Sequence, residues 1–217
     1  MQIKSDKKTI NAWCFYDWAN SVYQLVITAT IFPIYYNQVT LHGSNDIVKF
    51  FGIEFVNTEL YAYALSFAFL TVAITSPLLS SIADYTGKKR GFMKFFAYLG
   101  AMSCMALFWF DGSNIEFGII AFVMATIGYS GSIVYYNSFL PEIVPPEDQD
   151  KISARGYSYG YAGSLILLCF NLSMIMQPSW YGITDAQLPA KISFLTVGIW
   201  WIAFSQITFR ALPKNVF

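Results

Sequence analysis

Asp17, Asn20, Ser21, Gln24 and Thr28 recur at i, i+3, i+4, i+7 and i+11, and Thr126, Tyr129, Ser130 and Asn137 at i, i+3, i+4 and i+11. Either spacing puts its side chains on one face of a helix. Both sets lie inside long apolar runs. Polar groups cost free energy in hydrocarbon, so such stripes must face protein or a water-filled cavity. Hydrogen bonding between helices is one use for them. Two whole stripes that include Asp17, Gln24 and Asn137 favour a cavity, with Asn20, Gln24, Thr28, Tyr129, Ser130 and Asn137 as its expected lining. Amides and hydroxyls grouped in this way can hold a zwitterionic or polar solute without a large desolvated charge. Asp17 is the sole acid away from the very ends of the runs, and it lies toward one end of its own. Two roles stand open for it: coupling to a proton, or a structural place as the ion-pair partner of Arg155 or as a cap near the helix start.

The elements that must position these residues follow from composition. Of 217 residues, 56% are hydrophobic, 19% aromatic and 12% charged, the last about half the ~25% usual in soluble proteins. So few charges cannot cover the surface of a soluble fold this long. Lys and Arg number 13, as do Asp and Glu, so the balance gives no sign of a nucleic-acid partner. A bilayer core of ~30 Å needs ~20 helical residues. Six segments meet that length, at 12–38, 60–83, 92–111, 115–139, 156–176 and 191–210. The chain therefore reads as an all-α membrane protein with six transmembrane helices. The basic N-terminus followed by an apolar run reads as a retained first span, because no small-residue cleavage site follows it.

Cations set the orientation. With the N-terminus in the cytoplasm, Lys4, Lys7, Lys8, Lys88, Lys89, Arg90, Lys94, Lys151, Arg155, Arg210 and Lys214 fall inside, and only Lys49 and Lys191 outside. The expectation is a multi-pass protein of a bacterial inner membrane with both termini cytoplasmic. Spans 1 and 4 carry the stripes, whereas spans 3 and 6 are bland and look lipid-facing. That matching suggests two inverted three-helix repeats. In span 5, Gly156, Gly160 and Ser164 repeat at i+4, a spacing that lets helix backbones approach closely, and the interleaved Tyr157, Tyr159 and Tyr161 could reach a cavity. The outer segment 40–59 is mildly amphipathic and suits the membrane surface; His42 within it reads as ordinary loop polarity.

Several chemistries find no support. Cys14, Cys104 and Cys169 stand in separate apolar segments without metal or disulfide spacing and read as small packing residues. No glycine-rich phosphate loop points to ATP. Neither a cofactor nor a metal is expected. Intramembrane hydrolysis needs paired carboxylates, a Ser/His dyad or metal ligands at one depth, and one buried acid with one loop histidine does not supply these. An enzyme is not expected. A non-transporting assembly partner or a degenerate half-transporter is the competing class.

The turn after span 2 reads Ser80-Ser-Ile-Ala-Asp84-Tyr-Thr-Gly87-Lys88-Lys89-Arg90. It resembles the signature loop of the major facilitator superfamily, with Ser80 in place of the first glycine and Tyr85 where a basic residue is common. The resemblance implies that Asp84 acts in gating at the cytoplasmic interface between two transporter halves. More specific are Phe15-Tyr16-Asp17-Trp18-Ala19-Asn20-Ser21, Ile31-Phe32-Pro33-Ile34-Tyr35, Asn137-Ser-Phe-Leu-Pro141-Glu142 and the run from Ser153-Ala-Arg-Gly156 to Gly160-Tyr161. Together they make the chain similar to the vacuolar amino-acid effluxers of fungal autophagy and their bacterial relatives. The resemblance implies a secondary active transporter working by alternating access on a small polar solute, amino acids among the possibilities, with a proton or cation as a possible coupling partner. It implies that residues 1–217 form the N-terminal six-helix domain, half of a major facilitator fold. The C-terminal half is then absent, and a second six-helix half or a second copy is the expected partner within the bilayer.

Overall fold

A computed structural model describes residues 6–41 and 45–213. His42, Lys4 and Lys214 lie outside the described residues. Asp6 starts the first helix: its Oδ1 accepts the Lys8 backbone N–H at 3.1 Å, which satisfies one of the donors a helix start leaves open. α1 spans Lys7–Val22 and passes without interruption into a π-helical stretch, Tyr23–Ile31, and then into α2, Phe32–Thr40. Pro33 at the start of α2 has no N–H to give to the preceding turn. Bonding just ahead of it has already loosened to i→i+5, and the Thr30 hydroxyl donates to the Leu25 carbonyl at 2.7 Å.

Within segment 40–59 the described residues form a hairpin. β1 (Ile47–Phe50) pairs antiparallel with β2 (Ile53–Val56), with Ile47 opposite Val56 and Phe50 opposite Ile53. The two linking residues, Phe51 and Gly52, have φ of 49° and 82°, as a turn matched to strand twist requires. The Phe51 N–H donates to Glu116 Oε1 at 3.1 Å and fastens the hairpin to the start of the helix that begins at Ile115.

Five further helices follow: α3 (Asn57–Thr86), α4 (Lys89–Ala106), α5 (Ile115–Ile143), α6 (Pro146–Met176) and α7 (Leu188–Ala211). These five are long and apolar enough to cross a membrane, α4 together with the short 3₁₀ turn that ends it at Trp109. The chain is thus a multi-pass, overwhelmingly helical membrane protein. Gly87 ends α3 in the left-handed region at φ 63°, and the Lys88 N–H reaches back to the Ala83 carbonyl at 3.1 Å. A residue with a Cβ would strain that stop.

α1 packs on α6 and α7, α4 packs on α5 and α7, and α3 packs on α5. The bland helices α4 and α7 do not face outward all round: each buries one side. Trp201 and Phe194 of α7 and Cys104 of α4 are fully buried. The reason is backbone proximity: a Cβ on Gly128 of α5 would overlap the Gly100 backbone of α4. The open helix is α3, of whose most apolar stretch only 11% is buried. Cys14 is buried like Cys104, but Cys169 is exposed. A core of rings closes the middle of the bundle, with Phe32 of α2 stacked on Phe122 of α5 at 4.4 Å between centroids.

Candidate functional site

Three glycines of α6 decide how the site is built. A Cβ on Gly156 would meet Asp17 Oδ2 at 2.6 Å, one on Gly160 would meet Ser21 Oγ at 2.6 Å, and one on Gly163 would meet the Trp18 carbonyl at 2.9 Å. Small residues at this spacing let α6 lie directly on α1. The polar stripe of the helical run Lys7–Thr40 is therefore covered by α6 toward its N-terminal end and opens only further along. There the π-helical stretch, α5 and α6 enclose a cavity of about 280 Å³, lined by Ser21, Gln24, Leu25 and Ala29, by Tyr129, and by Tyr157, Gly160, Tyr161 and Ser164.

Of the residues expected from sequence, Gln24 and Tyr129 line this cavity, and Asn20, Thr28, Ser130 and Asn137 are not among its lining. Asn20 and Thr28 are buried, and among the described residues the Asn20 amide nitrogen and the Thr28 and Ser130 hydroxyls have no hydrogen-bond partner. Asn137 is exposed, beyond the cavity's depth. For Thr28 the cause is the π-helical stretch from Tyr23. Its i→i+5 bonding widens each turn, so an α-helical stripe drifts and Thr28 turns inward. Thr126, from the second stripe, is a core residue whose hydroxyl bonds the Tyr23 hydroxyl at 2.8 Å.

Sequence reasoning missed Leu25, Ala29, Gly160 and Ser164 as lining, and it held Tyr157 and Tyr161 only as candidates. Leu25 and Ala29 follow Ser21 at i+4 and i+8, which is a helical face, but an apolar residue on a cavity wall has no local signature. Three phenol rings around one cavity give it both apolar faces and hydroxyl groups. Lining of that kind suits a solute with polar ends on a small hydrocarbon body.

Asp17 sits just below, buried, and accepts the Tyr136 hydroxyl at 2.8 Å on Oδ2. Tyr136 is held in turn: its ring stacks on Trp13 at 4.3 Å, and its carbonyl accepts the Trp13 indole N–H at 2.9 Å. Among the described residues no ion pair joins Asp17 to Arg155. Arg155 instead donates to Asn11 Oδ1. The carboxyl of Asp17 is thus tied to α5 by one hydrogen bond and touches the backbone of α6.

The signature loop forms a second cluster at the cation-rich end. Lys89 Nζ lies 2.7 Å from Asp84 Oδ1 and also binds Glu142, which joins α3, α4 and α5. Arg90 donates to the carbonyls of Phe209 (3.1 Å) and Leu212 (2.9 Å) at the end of α7, where a cation satisfies open helix carbonyls. Lys88 is exposed. The loop therefore ties four helices together, with Gly87 supplying the reversal. Among the described residues no group of three or more His, Cys, Asp or Glu side chains is placed to hold a metal ion.

Known proteins resemble the chain over nearly its whole length. The chain is 29% identical to "Uncharacterized MFS-type transporter YxiO" of Bacillus subtilis over 205 residues, 94% of this chain and 46% of that protein. It is 27% identical to "Autophagy-related protein 22" of Kluyveromyces lactis, over 97% of this chain and 48% of that one. With "Autophagy-related protein 22-1" of Aspergillus clavatus the figures are 26%, 78% and 38%. The chain thus spans less than half the length of these relatives. No solved structure matches it. The family described as "Vacuole effluxer Atg22 like", one of transporters and not of enzymes, matches residues 5–216. With a match that runs from the start of α1 past the end of α7, the chain belongs to the Atg22-like vacuole effluxer family.

Proposed function

We propose that this chain forms the N-terminal half of a secondary active transporter, which moves a small polar solute by alternating access. Amino acids are the first solutes to test, because the vacuole effluxer family suggests them and the cavity has the matching chemistry. The helical run Lys7–Thr40 is the first of six crossings, arranged as two inverted three-helix repeats with both termini cytoplasmic, in a bacterial inner membrane. A second six-helix half or a second copy faces it across the cavity.

The observation that carries this reading is the cavity of about 280 Å³ between the first span, α5 and α6, with an amide, two hydroxyl-bearing serines and three tyrosines on its walls. The cluster of Asp84, Lys89 and Glu142 joins three helices at the cation-rich end, a place where breaking ion pairs would accompany opening. Asp17 is the candidate for coupling to a proton or cation, since its carboxyl is held by one hydroxyl in a buried site beside the cavity.

Counterflow of labelled amino acids in proteoliposomes tests the proposal, with the full protein and its second half reconstituted together. Saturable exchange is expected, and Gln24→Ala or Tyr157→Ala should lower it by roughly tenfold, about 1.4 kcal/mol of solute contact. Asp17→Asn should abolish gradient-driven uptake and spare exchange. A competing reading is a non-transporting assembly partner, and absence of saturable exchange for every amino acid would favour it.

A further inference from the structure

A second opening among the described residues is larger than the cavity just described. It is a cleft of about 750 Å³ between the cation-rich ends of α1 and α7, with Lys8, Asn11 and Phe15 on one wall and Ile207 and Arg210 on the other. Two features set it apart from an ordinary surface groove. Lys8 and Arg210 enter it from different helices, and among the described residues neither has an acidic partner. Arg155 brings a third cation to the rim by donating to Asn11 Oδ1.

Phe15, on the wall of the cleft, begins an apolar strip that continues away from the cations. Phe15 and Trp18 of α1 meet Trp200 and Phe204 of α7 in a ladder of rings: Phe15 lies 5.9 Å from Phe204 and Trp18 lies 5.5 Å from Trp200, between centroids. All four rings are half-buried, so each keeps a face toward the outside of the bundle. The Trp200 indole N–H donates to the Trp18 carbonyl at 3.0 Å, whereas the Trp18 indole N–H is buried and has no partner among the described residues. Cations at the bilayer edge with an aromatic strip one or two turns deeper match the two parts of one amphiphile: a phosphate at the interface and a hydrocarbon tail beside it.

We infer that the α1/α7 cleft is a binding site for an anionic phospholipid, whose phosphate lies between Lys8 and Arg210 and whose acyl chain runs along Phe15, Trp18, Trp200 and Phe204. Basic pockets between membrane helices attract such headgroups, and each cation near an anionic surface strengthens binding by roughly fivefold. The site depends only on the chain's being in a bilayer, and it lies apart from the tyrosine-lined cavity. The lipid would hold α1 against α7 at the end where α1 starts.

Native mass spectrometry of the full protein in detergent tests this, with dioleoyl phosphatidylglycerol and dioleoyl phosphatidylcholine titrated in turn at physiological ionic strength. One phosphatidylglycerol molecule should bind at least tenfold more tightly than phosphatidylcholine, and Lys8→Gln with Arg210→Gln should remove that preference. The charge-matched control Lys7→Gln with Lys151→Gln should keep it. Equal binding of the two lipids by the unaltered protein would overturn the inference without any variant. So would a control that loses the preference as fully as the cleft variant, since the attraction would then be diffuse. Displacement of the bound lipid by inorganic phosphate alone would also overturn it, because the tail would then contribute nothing.

Discussion

α3 and α5 differ by one residue in length and are similarly apolar, yet only 11% of the most apolar stretch of α3 is buried against 50% for α5. Hydropathy does not separate them, because lipid tails are as apolar as a protein core. Residue size does. α5 buries Gly118, Ala121, Ala125, Gly128, Gly131 and Ser132 along its length, and its neighbours come down to backbone contact, as membrane helices do when side chains are small. α3 buries Ala64 and Ala68 near its start and Ala83 near its end, and between them presents Phe67, Leu70, Ile74 and Leu78 outward. One helix is built to be surrounded and the other to meet lipid or a further protein surface.

The sharpest way to break that contrast is to add bulk where α5 has none. Gly128→Val places a side chain against the Gly100 backbone and the Phe96 carbonyl of α4, where nothing can rotate away. Overpacking of a side-chain core costs about 1–3 kcal/mol, and a backbone contact should exceed the upper end of that range. Fluorescence-detected gel filtration after a heating series should show loss of the monodisperse protein well below the parent's transition. Next in size comes Tyr136→Phe, which keeps the ring on Trp13 and removes only the hydroxyl held by Asp17 Oδ2. A buried acceptor left without its donor costs about 1–3 kcal/mol, read as a lowered melting temperature. The same substitution should leave the α4–α5 contact intact, so a variant as damaged as Gly128→Val would count against the contrast.

How much of this could be read from sequence depends on the length of each signal. Five of the six apolar runs lie inside observed helical stretches and the run 92–111 passes the end of its helix by two residues, because ~20 consecutive apolar residues leave few alternatives. The reversal at Gly87 was equally plain, since the family-like loop and the glycine coincide there. The hairpin at Ile47–Val56 was not, as Phe50, Phe51 and Phe55 hide the alternation and its turn uses Phe51 at positive φ. The π-helical stretch left no mark in the residues either, and it is what rotated Thr28 out of the expected lining. Tyr157 and Tyr161 reach the cavity only because Gly156 and Gly160 bring α6 onto α1. That placement is a property of two helices together, so a stripe read along one helix could not reveal it.

The smallest expected effect belongs to α3 and says the most about its role. Leu70 and Ile74 are 58% and 63% exposed, so in this chain alone each touches mainly what surrounds the bundle. Leu70→Ala and Ile74→Ala should each change stability by no more than about 0.5 kcal/mol, as surface substitutions usually do. Buried leucines and isoleucines lose ~2–5 kcal/mol when truncated to alanine, and a partner seated on α3 would move both positions toward that range. Measuring the two variants first in this chain and then together with a second half separates the cases. A melting temperature unchanged in both settings would leave α3 as a lipid-facing wall. A drop confined to the assembled protein would place the second half on α3, since the same methyl groups can matter only where another surface has closed over them.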